Sequence, residues 1–521
     1  MSIQNKKYKP SAKDSFVKKS FRFSVSTIIS RLLGLVREQI FSHFFGAGAA
    51  VDSFYAAFRI PNLLREFFAE GALSAAYVPV FSQKLKDDGK QKAFILTSTV
   101  LSVLLVILGA VTVLGIIVAP YLVRVIAPGF ADTPGQFELT TKLTQIMFPF
   151  LIFIAGAAAV MGTLNCFGLF GMPALAPAGF NIGLIVAGLF FRDYFDPPIT
   201  VMAWGALAGG VLQLIFQLPQ LYAIGFRFQF IFSFADRSVK QIIRLMGPAA
   251  LGVAAVQVNI FVATLLASLL ESGSISYLNY AFRLMHFPLG VFGVAVATVS
   301  LTELSALVAG GKKDEALSKY IRSSKMQMLF LLPSAVFLIV AARPVCALIY
   351  QHGVFGWTDS INAARALQAY SAGLIFFGLV RLSAQLFYAH KNTATPVKIS
   401  AIAVGVNVIV SLLLMKPLGF VGLALAPGVA ALANFSMLAF NIRKKIGMPD
   451  YNSLIIHVVK TAFAACAGGV VSYLILQNFG MYSDYAGVFT TLYQLAVGVG
   501  AGVGVFGGLG LVMGLFRKAR I

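Results

Sequence analysis

The chain has 521 residues, of which 58% are hydrophobic and only 12% are charged, and its mean hydropathy is +0.84. Soluble domains carry about 25% charged residues, so this composition excludes a soluble protein and predicts a polytopic membrane protein. The net charge of +22 could suit a nucleic-acid partner, but the basic residues lie in the connections between apolar segments, which argues against that class.

Apolar segments of roughly 20 residues recur along the whole chain, which is the length that crosses a hydrocarbon core of about 30 Å. We therefore predict an all-α polytopic membrane protein with about fourteen transmembrane helices, numbered here as spans 1 to 14. They lie near 23–46, 53–81, 93–126, 140–166, 170–191, 199–223, 239–270, 274–308, 319–349, 362–389, 394–415, 418–440, 452–476 and 486–516.

Basic residues alternate between the connections. Of the 41 Lys and Arg residues, 28 lie in the two tails and the even-numbered loops, whereas the odd-numbered loops carry mainly acidic residues. Because an excess of Lys and Arg marks cytoplasmic loops, we expect residues 1–22 to form a basic cytoplasmic tail and both termini to be cytoplasmic. The three cysteines, Cys166, Cys346 and Cys466, form no close-spaced set, so we expect neither a disulfide framework nor a metal site.

Two junctions six spans apart resemble each other. LNCFGLFGMPALAPAGFN joins spans 4 and 5, and LFYAHKNTATPVKISAIAVGVN joins spans 10 and 11; each has a short turn, a proline at the next helix start and an asparagine further in. This offset predicts two six-helix lobes related by a pseudo-twofold axis, an N-lobe at 23–223 and a C-lobe at 237–440. Spans 13 and 14, at 452–516, are then an additional pair.

Spans 1, 2 and 8 carry charged residues, each of which costs about 2.5–3.5 kcal/mol at mid-bilayer and usually faces a cavity. The set is Arg31, Arg37 and Glu38 in span 1, Arg59, Arg65, Glu66 and Glu70 in span 2 with Asp52 at its mouth, and Arg283 in span 8. On an ideal helix Asp52, Arg59, Glu66 and Glu70 form one stripe. The direction of Arg65 stays open, because Pro61 can kink the helix and shift its phase.

Five arginines outnumber three glutamates in this set, so the surplus charge is positive. Arginine binds phosphate oxygens in a bidentate manner and stays ionised, which favours a phosphate or pyrophosphate headgroup as the ligand. The alternative is an ion-paired network that joins spans 1, 2 and 8. Arg31 and Glu38 share one helix and Arg59 and Glu66 share another, and each pair is one heptad apart. These residues are too far apart for contact within their own helix but able to pair across helices.

Three segments closely resemble the MurJ/MviN family of the multidrug/oligosaccharidyl-lipid/polysaccharide exporter superfamily. They are RLLGLVRE at 31–38, FGAGAAVDSFYAAFRIPNLLREFFAEGALSAAYVPVF at 45–81, and YAFRLMHFPLGVFGVAVATVSLTELS at 280–305. The resemblance covers essentially the whole chain. It implies a flippase for lipid II, the undecaprenyl-pyrophosphate-linked peptidoglycan precursor, in the bacterial inner membrane.

The resemblance also implies substrate-binding residues around a central cationic cavity: Ser30, Arg31, Arg37, Asp52, Arg65, Glu70 and Arg283, to which we add Arg59 from the polar stripe. This sequence departs from the family at Glu38, where aspartate is common, and at Glu66, where a basic residue often stands. Some relatives bind sodium through acidic residues of spans 7 and 11. Here those spans offer only Gln257, Asn259, Asn407 and Ser411, so sodium coupling is not supported.

We expect alternating access between the two lobes, driven by membrane potential, with no catalytic residue, no cofactor and no ATP site, since no P-loop is present. The family further implies that spans 13 and 14 line a groove for the lipid tail, and membrane lipids and the cell-wall synthesis machinery are the other expected partners. The alternative function is a flippase for another polyprenyl-pyrophosphate-linked glycan. A cationic-drug exporter is disfavoured by the arginine surplus, and an enzyme by the scattered histidines. We expect Arg37→Ala and Arg283→Ala to abolish translocation without affecting folding.

Overall fold

The structure, a computed structural model, describes residues 12–66, 72–482 and 487–516, and regular secondary structure in these ranges is helical throughout. The helices are α1 (Ala12–Phe45), α2 (Ala49–Arg65), α3 (Ala72–Asp87), α4 (Gly89–Ile126), α5 (Gln136–Met147), α6 (Phe150–Cys166), α7 (Gly171–Phe190), α8 (Thr200–Ile215), α9 (Leu218–Ala223), α10 (Arg237–Ser268), α11 (Ser274–Pro288), α12 (Ala295–Ala309), α13 (Lys313–Val340), α14 (Ala342–Tyr350), α15 (Trp357–Ala372), α16 (Leu374–Ala389), α17 (Ala394–Leu418), α18 (Phe420–Lys445), α19 (Tyr451–Asn478) and α20 (Val488–Val512). Short 3₁₀ turns lie at Pro128–Asp132 and Arg192–Tyr194, and a π-helical segment lies at Leu289–Val294.

Eleven helices or helix pairs in the described ranges are long and apolar enough to cross a membrane, and they correspond to predicted spans 3 to 6 and 8 to 14. The chain is therefore an all-helical polytopic membrane protein. Spans 1, 2 and 7 correspond to α1, to α2 with α3, and to α10. The first two of these carry the charges that lower their hydropathy, and the passage of all three spans through the membrane stays a prediction.

Several predicted spans are two helices rather than one. Spans 4, 6 and 8 are interrupted or change helix type beside Pro149, Pro219 and Pro288, where the missing backbone N–H removes a hydrogen bond of the ladder. Of the single helix predicted over 53–81, the structure describes α2 as far as Arg65 and α3 from Ala72; residues 67–71, which include the predicted site residue Glu70, lie outside the described residues, so the continuity of this helix stays a prediction.

Packing divides the chain into two compact units. The first unit comprises residues up to Phe41, Ser53–Arg124 and Pro134–Ala254; the second comprises Ser42–Asp52, Val125–Thr133 and residues from Ala255 onward. The short connection between α1 and α2 thus belongs to the second unit, although most of α1 and α2 belongs to the first. The lobe boundaries at 23–223 and 237–440 stay predictions, and of the predicted 1–22 tail only residues 12–22, within α1, are described.

Each unit has a core in which a buried tyrosine hydroxyl joins neighbouring helices. In the first unit Tyr77 lies 2.8 Å from the Thr97 hydroxyl and 2.7 Å from the Thr163 hydroxyl, which links α3, α4 and α6. In the second unit the Tyr320 hydroxyl lies 2.9 Å from that of Ser383, which links α13 to α16. A hydroxyl buried among apolar side chains is stable only when it is bonded in this way, so these contacts also fix how the helices align.

The two C-terminal helices pack through glycine. Gly468 of α19 and Gly502 of α20 approach so closely that a Cβ added to either would collide with the backbone carbonyl of the other. This is the small-residue packing that brings membrane helices together. Gly498 and Gly502 of the Gly-rich span 14 are therefore used for helix packing.

Candidate substrate-binding site

The most heavily buried ionised group of the first unit is the Arg37–Glu38 pair on α1. The guanidinium Nη2 lies 2.6 Å from Glu38 Oε1, and the two residues are 8% and 1% exposed. Neighbouring residues on a helix point about 100° apart, so both long side chains must bend toward each other to make this contact. A buried pair of this kind is held because separating it would leave an uncompensated charge in an apolar surrounding.

Two residues from other helices also bond to this pair. The Tyr55 hydroxyl of α2 donates to Glu38 Oε2 at 2.9 Å, and Arg37 Nη1 donates to Asn181 Oδ1 of α7 at 3.1 Å. The Asn181 amide nitrogen in turn donates to the backbone carbonyl of Ser30, at 3.1 Å. The Arg37 guanidinium also lies 5.7 Å from the centre of the Phe180 ring, a cation–π distance. Arg37 is therefore fixed by contacts on several sides.

Arg31, two turns before Arg37 on α1, is exposed, and no side chain in the described ranges hydrogen-bonds its guanidinium. It therefore differs from Arg37, whose donors are used within the protein. An exposed guanidinium of this kind can contact a ligand.

The end of α2 carries a second polar group. Arg65 Nε donates to Asn62 Oδ1 at 2.9 Å, and Arg65 Nη2 lies 3.6 Å from Glu66 Oε1. These residues are half-buried, as is Arg59 one to two turns earlier. Adjacent residues on an ideal helix point about 100° apart, yet the Arg65 and Glu66 side chains come together because both are bonded to Asn62.

Asp52 has a different surrounding in the second unit. Its carboxylate is 2% exposed and accepts hydrogen bonds from the backbone N–H groups of Gly273 and Ser276, both at 2.7 Å, and from the Ser276 hydroxyl. These donors are at the first turn of α11, whose own N-cap residue, Gly273, has no side chain to cap it. Asp52 thus caps α11 from another helix, and its negative charge also suits the positive end of the helix dipole.

Arg283 lies on α11 in the second unit, five residues before Pro288 and the π-helical segment Leu289–Val294. Its side chain is exposed, whereas the next two residues, Leu284 and Met285, are buried. π-helical turns are rare and occur often at functional sites, because the extra residue re-aims the side chains around it. Of the predicted cavity arginines, Arg31, Arg37, Arg59 and Arg65 belong to the first unit and Arg283 to the second.

The polar residues of spans 7 and 11 also meet within the second unit. The amide nitrogen of Asn407 on α17 donates to the side-chain oxygen of Asn259 on α10. Asn407, Ser411 and Gln257 are all at least 97% buried. In the described ranges no three His, Cys, Asp or Glu side chains converge as metal ligands, and the three cysteine thiols are free.

Sequence reasoning did not identify Tyr55 or Asn181 as site residues. Both contact charged groups of α1 from helices that follow it along the chain, at separations of 17 and 144 residues. A signal was present for Asn181, since it is the buried polar residue of the repeated span 5 and span 11 pattern. Its partner could not be read from one sequence.

Comparison with known proteins identifies the family. A family model described as "Lipid II flippase MurJ" matches residues 41–493. A protein of Buchnera aphidicola subsp. Acyrthosiphon pisum (strain APS), described as "Probable lipid II flippase MurJ", is 32% identical over 460 residues, covering 88% of this chain and 90% of the relative.

Solved structures agree with this assignment. "Lipid II flippase MurJ, inward closed conformation" is similar with a TM-score of 0.78 and 27% identity, over 94% of this chain and 99% of that one. An inward-facing multidrug resistance MATE family transporter of the MOP superfamily has a TM-score of 0.67, over 82% of this chain and 98% of that one. At 16% identity this second likeness shows the fold alone. The chain therefore belongs to the lipid II flippase MurJ family, a family of membrane transporters rather than enzymes.

Proposed function

We propose that this protein moves lipid II from the inner to the outer leaflet of the bacterial cytoplasmic membrane. The observation that carries the proposal is the family match over residues 41–493, which takes in the helices that bear the charges. Lipid II presents a pyrophosphate, and between residues 23 and 66 the described part of the first unit carries four arginines, Arg31, Arg37, Arg59 and Arg65, against two glutamates. A cationic surplus of this kind would attract the pyrophosphate away from water.

The contacts divide the arginines into two roles. Arg31 and Arg283 have exposed side chains, so we assign them to direct contact with the pyrophosphate oxygens. Arg37 is held by Glu38 and Asn181, so it would present at most part of its guanidinium and would act mainly by fixing α1 against α7. Arg59 and Arg65 on α2 are half-buried and would extend the cationic surface, and Ser30 and Glu70 remain expected neighbours of the substrate.

For Asp52 we assign a structural contribution to the cycle rather than contact with the headgroup. Three donors of α11 already bond its carboxylate. A negative charge would also repel a pyrophosphate. Because Asp52 sets the start of α11, it would set the position of Arg283 two to three turns further along that helix.

The transport step itself would be alternating access of the two lobes, driven by the membrane potential. Moving one charge through 100 mV is worth about 2.3 kcal/mol. An interior-negative potential would push the anionic headgroup outward and would draw an empty cationic cavity back inward. Voltage could therefore assist both halves of the cycle.

Transport of labelled lipid II by the purified protein in liposomes tests the proposal. The variants Arg31→Ala and Arg283→Ala should abolish translocation, whereas Arg192→Ala should leave it intact, since Arg192 lies in a loop beside Asp193. Arg37→Ala is a poorer test than the sequence suggested, because it would leave Glu38 buried without its cation. Normal transport by Arg31→Ala and Arg283→Ala would refute the assigned roles.

The same assay decides between lipid II and the alternative substrate. Vesicles containing a different polyprenyl-pyrophosphate-linked glycan would be compared with lipid II vesicles at equal lipid content. We expect translocation of lipid II to be faster, because the family match is to lipid II flippases. Equal or faster movement of the other glycan lipid would favour the broader glycan-lipid flippase.

The charge pattern indicates the topology, and the family indicates the membrane and the partners. We propose that both termini are cytoplasmic, since the basic residues concentrate in the tails and even-numbered loops. The membrane would be the inner membrane, where cell-wall synthesis enzymes supply lipid II on one face and consume it on the other. Labelling of single cysteines placed in alternate loops tests this orientation, and labelling from the opposite side would overturn it.

A further inference from the structure

The second unit contains a groove that the transport proposal does not use. It lies between α16, α18 and α19, with Met328 of α13 at its floor, and its volume is about 500 Å³. This volume is in the range of ligand-binding pockets. Its described lining residues come from these four helices, so α20, the other helix of the predicted tail groove, contributes none.

The wall of the groove is apolar except at one end and at Ser436, whose hydroxyl donates to the Leu432 carbonyl of its own helix. Leu379, Phe435, Phe440, Leu454 and Val458 are among the apolar lining residues. Phe440 is 65% exposed, and so are the lining residues Ile455 and Val459 at 58% and 61%. All four helices belong to segments long and apolar enough to cross a membrane, so the medium beside the groove is lipid.

The polar end is basic. Arg443, in the last turn of α18, and Tyr451, the first residue of α19, both line the groove and lie on the same side of it because only five residues separate the two helices. From Arg443 back to Phe435 the groove follows α18 for about 12 Å. Arg443 is exposed and forms no hydrogen bond or ion pair with another residue in the described ranges, whereas the nearby Lys445 donates to the Thr395 hydroxyl.

We propose that this groove binds an anionic glycerophospholipid, with an acyl chain along the apolar wall and the phosphate on Arg443. The chemistry matches at both ends: a hydrocarbon chain fits a dry apolar wall, and a guanidinium can hold two phosphate oxygens at once. Basic sites between membrane helices at the positively charged face are where acidic lipid headgroups bind. A polyprenyl carrier is the less suitable occupant, because its pyrophosphate belongs with the arginines of the other site.

Two pairs of variants test the two ends separately. Arg443→Gln removes the phosphate contact, and its control Lys444→Gln removes an adjacent charge that does not line the groove. Ala439→Trp fills the apolar wall, and its control Leu432→Trp changes a residue of the same helix that is 43% exposed and does not line the groove. All four proteins are studied as full chains in detergent.

Native mass spectrometry with phosphatidylglycerol, phosphatidylcholine and undecaprenyl phosphate gives the readout. We expect phosphatidylglycerol to bind the unchanged protein and both controls at least tenfold more tightly than phosphatidylcholine, and Arg443→Gln and Ala439→Trp to lose that preference. Equal binding of the two glycerophospholipids, or loss in the controls alone, would refute the proposal. Binding of undecaprenyl phosphate in place of phosphatidylglycerol would also refute it. The measurement needs no transport, so its outcome is independent of the flippase assay.

Discussion

The two units share the position of one hydrogen bond between helices but differ in the chemical groups that it joins. In each, a buried asparagine on the fifth predicted span of its half reaches the first span: Asn181 of α7 bonds to Arg37 of α1, and Asn407 of α17 bonds to Asn259 of α10. The first unit therefore has an ionised partner where the second unit has a neutral amide. The repeated pattern in the sequence thus preserves the position of a hydrogen bond but not its charge.

The buried carboxylates differ in the same way. Glu38 in the first unit is neutralised by an arginine, whereas Asp52 in the second is held by backbone N–H groups and a hydroxyl. Removing one partner of a buried ion pair lowers the free energy of unfolding by a large amount, whereas removing a helix-capping side chain lowers it by less. The contrast predicts that substitutions in the first unit cost more stability than the corresponding ones in the second.

The largest effect is expected for Arg37→Ala. It removes the cation that contacts the Glu38 carboxylate, which is 1% exposed, so we expect a loss of about 3–5 kcal/mol. Thermal unfolding of the purified protein in detergent measures it. The double variant Arg37→Met/Glu38→Gln removes both charges at similar volume and should recover most of this loss. If the double variant is no more stable than Arg37→Ala, the pair is not what holds the site together.

The second-largest loss of stability is expected for Asn181→Leu. It removes the acceptor of Arg37 Nη1 and the donor to the Ser30 carbonyl, and hydrogen bonds to charged groups contribute about 1.5–3 kcal/mol. Unfolding of this variant would be compared with that of Asn434→Leu, which changes another buried amide of a membrane helix, one whose side-chain hydrogen bond within the described ranges is a long contact of 3.5 Å to the Ser400 hydroxyl. Equal losses in the two variants would show that Arg37 does not depend on Asn181.

Asp52→Ala tests the carboxylate that caps α11 through backbone N–H groups. Losing a helix cap costs about 0.5–2 kcal/mol, and amide hydrogen exchange should rise at Gly273 and Ser276, which lose their acceptor. Asp132→Ala, an exposed aspartate of the same unit, is the control and should change neither quantity. Unchanged exchange at Gly273 in Asp52→Ala would mean that α11 is capped in another way.

Sequence predicted the architecture well because hydropathy and length are local properties. The prediction of the eleven spans found in the structure needed only apolar runs and flanking charges. The resemblance to the family was visible in the three segments at 31–38, 45–81 and 280–305. The site was predicted less completely. The contact between Arg37 and Glu38 could not be predicted, because helix geometry fixes the Cβ directions of neighbouring residues about 100° apart but not where the ends of long side chains lie. Asp52 was expected at a cavity, yet its donors on α11 are more than 220 residues away along the chain.

The smallest effect is expected for Asn407→Leu, and it is the most direct test of the comparison. The variant breaks a neutral amide contact between α17 and α10, and hydrogen bonds between membrane helices contribute only about 0.6 kcal/mol on average. The leucine also replaces a buried amide with apolar surface, which offsets part of the loss. Measured beside Asn181→Leu in the same detergent, it should be the milder variant by at least about 1 kcal/mol. A loss as large as that of Asn181→Leu would mean that the amide pair is as important to the second unit as the ion pair is to the first, and that the two halves differ in charge but not in energy.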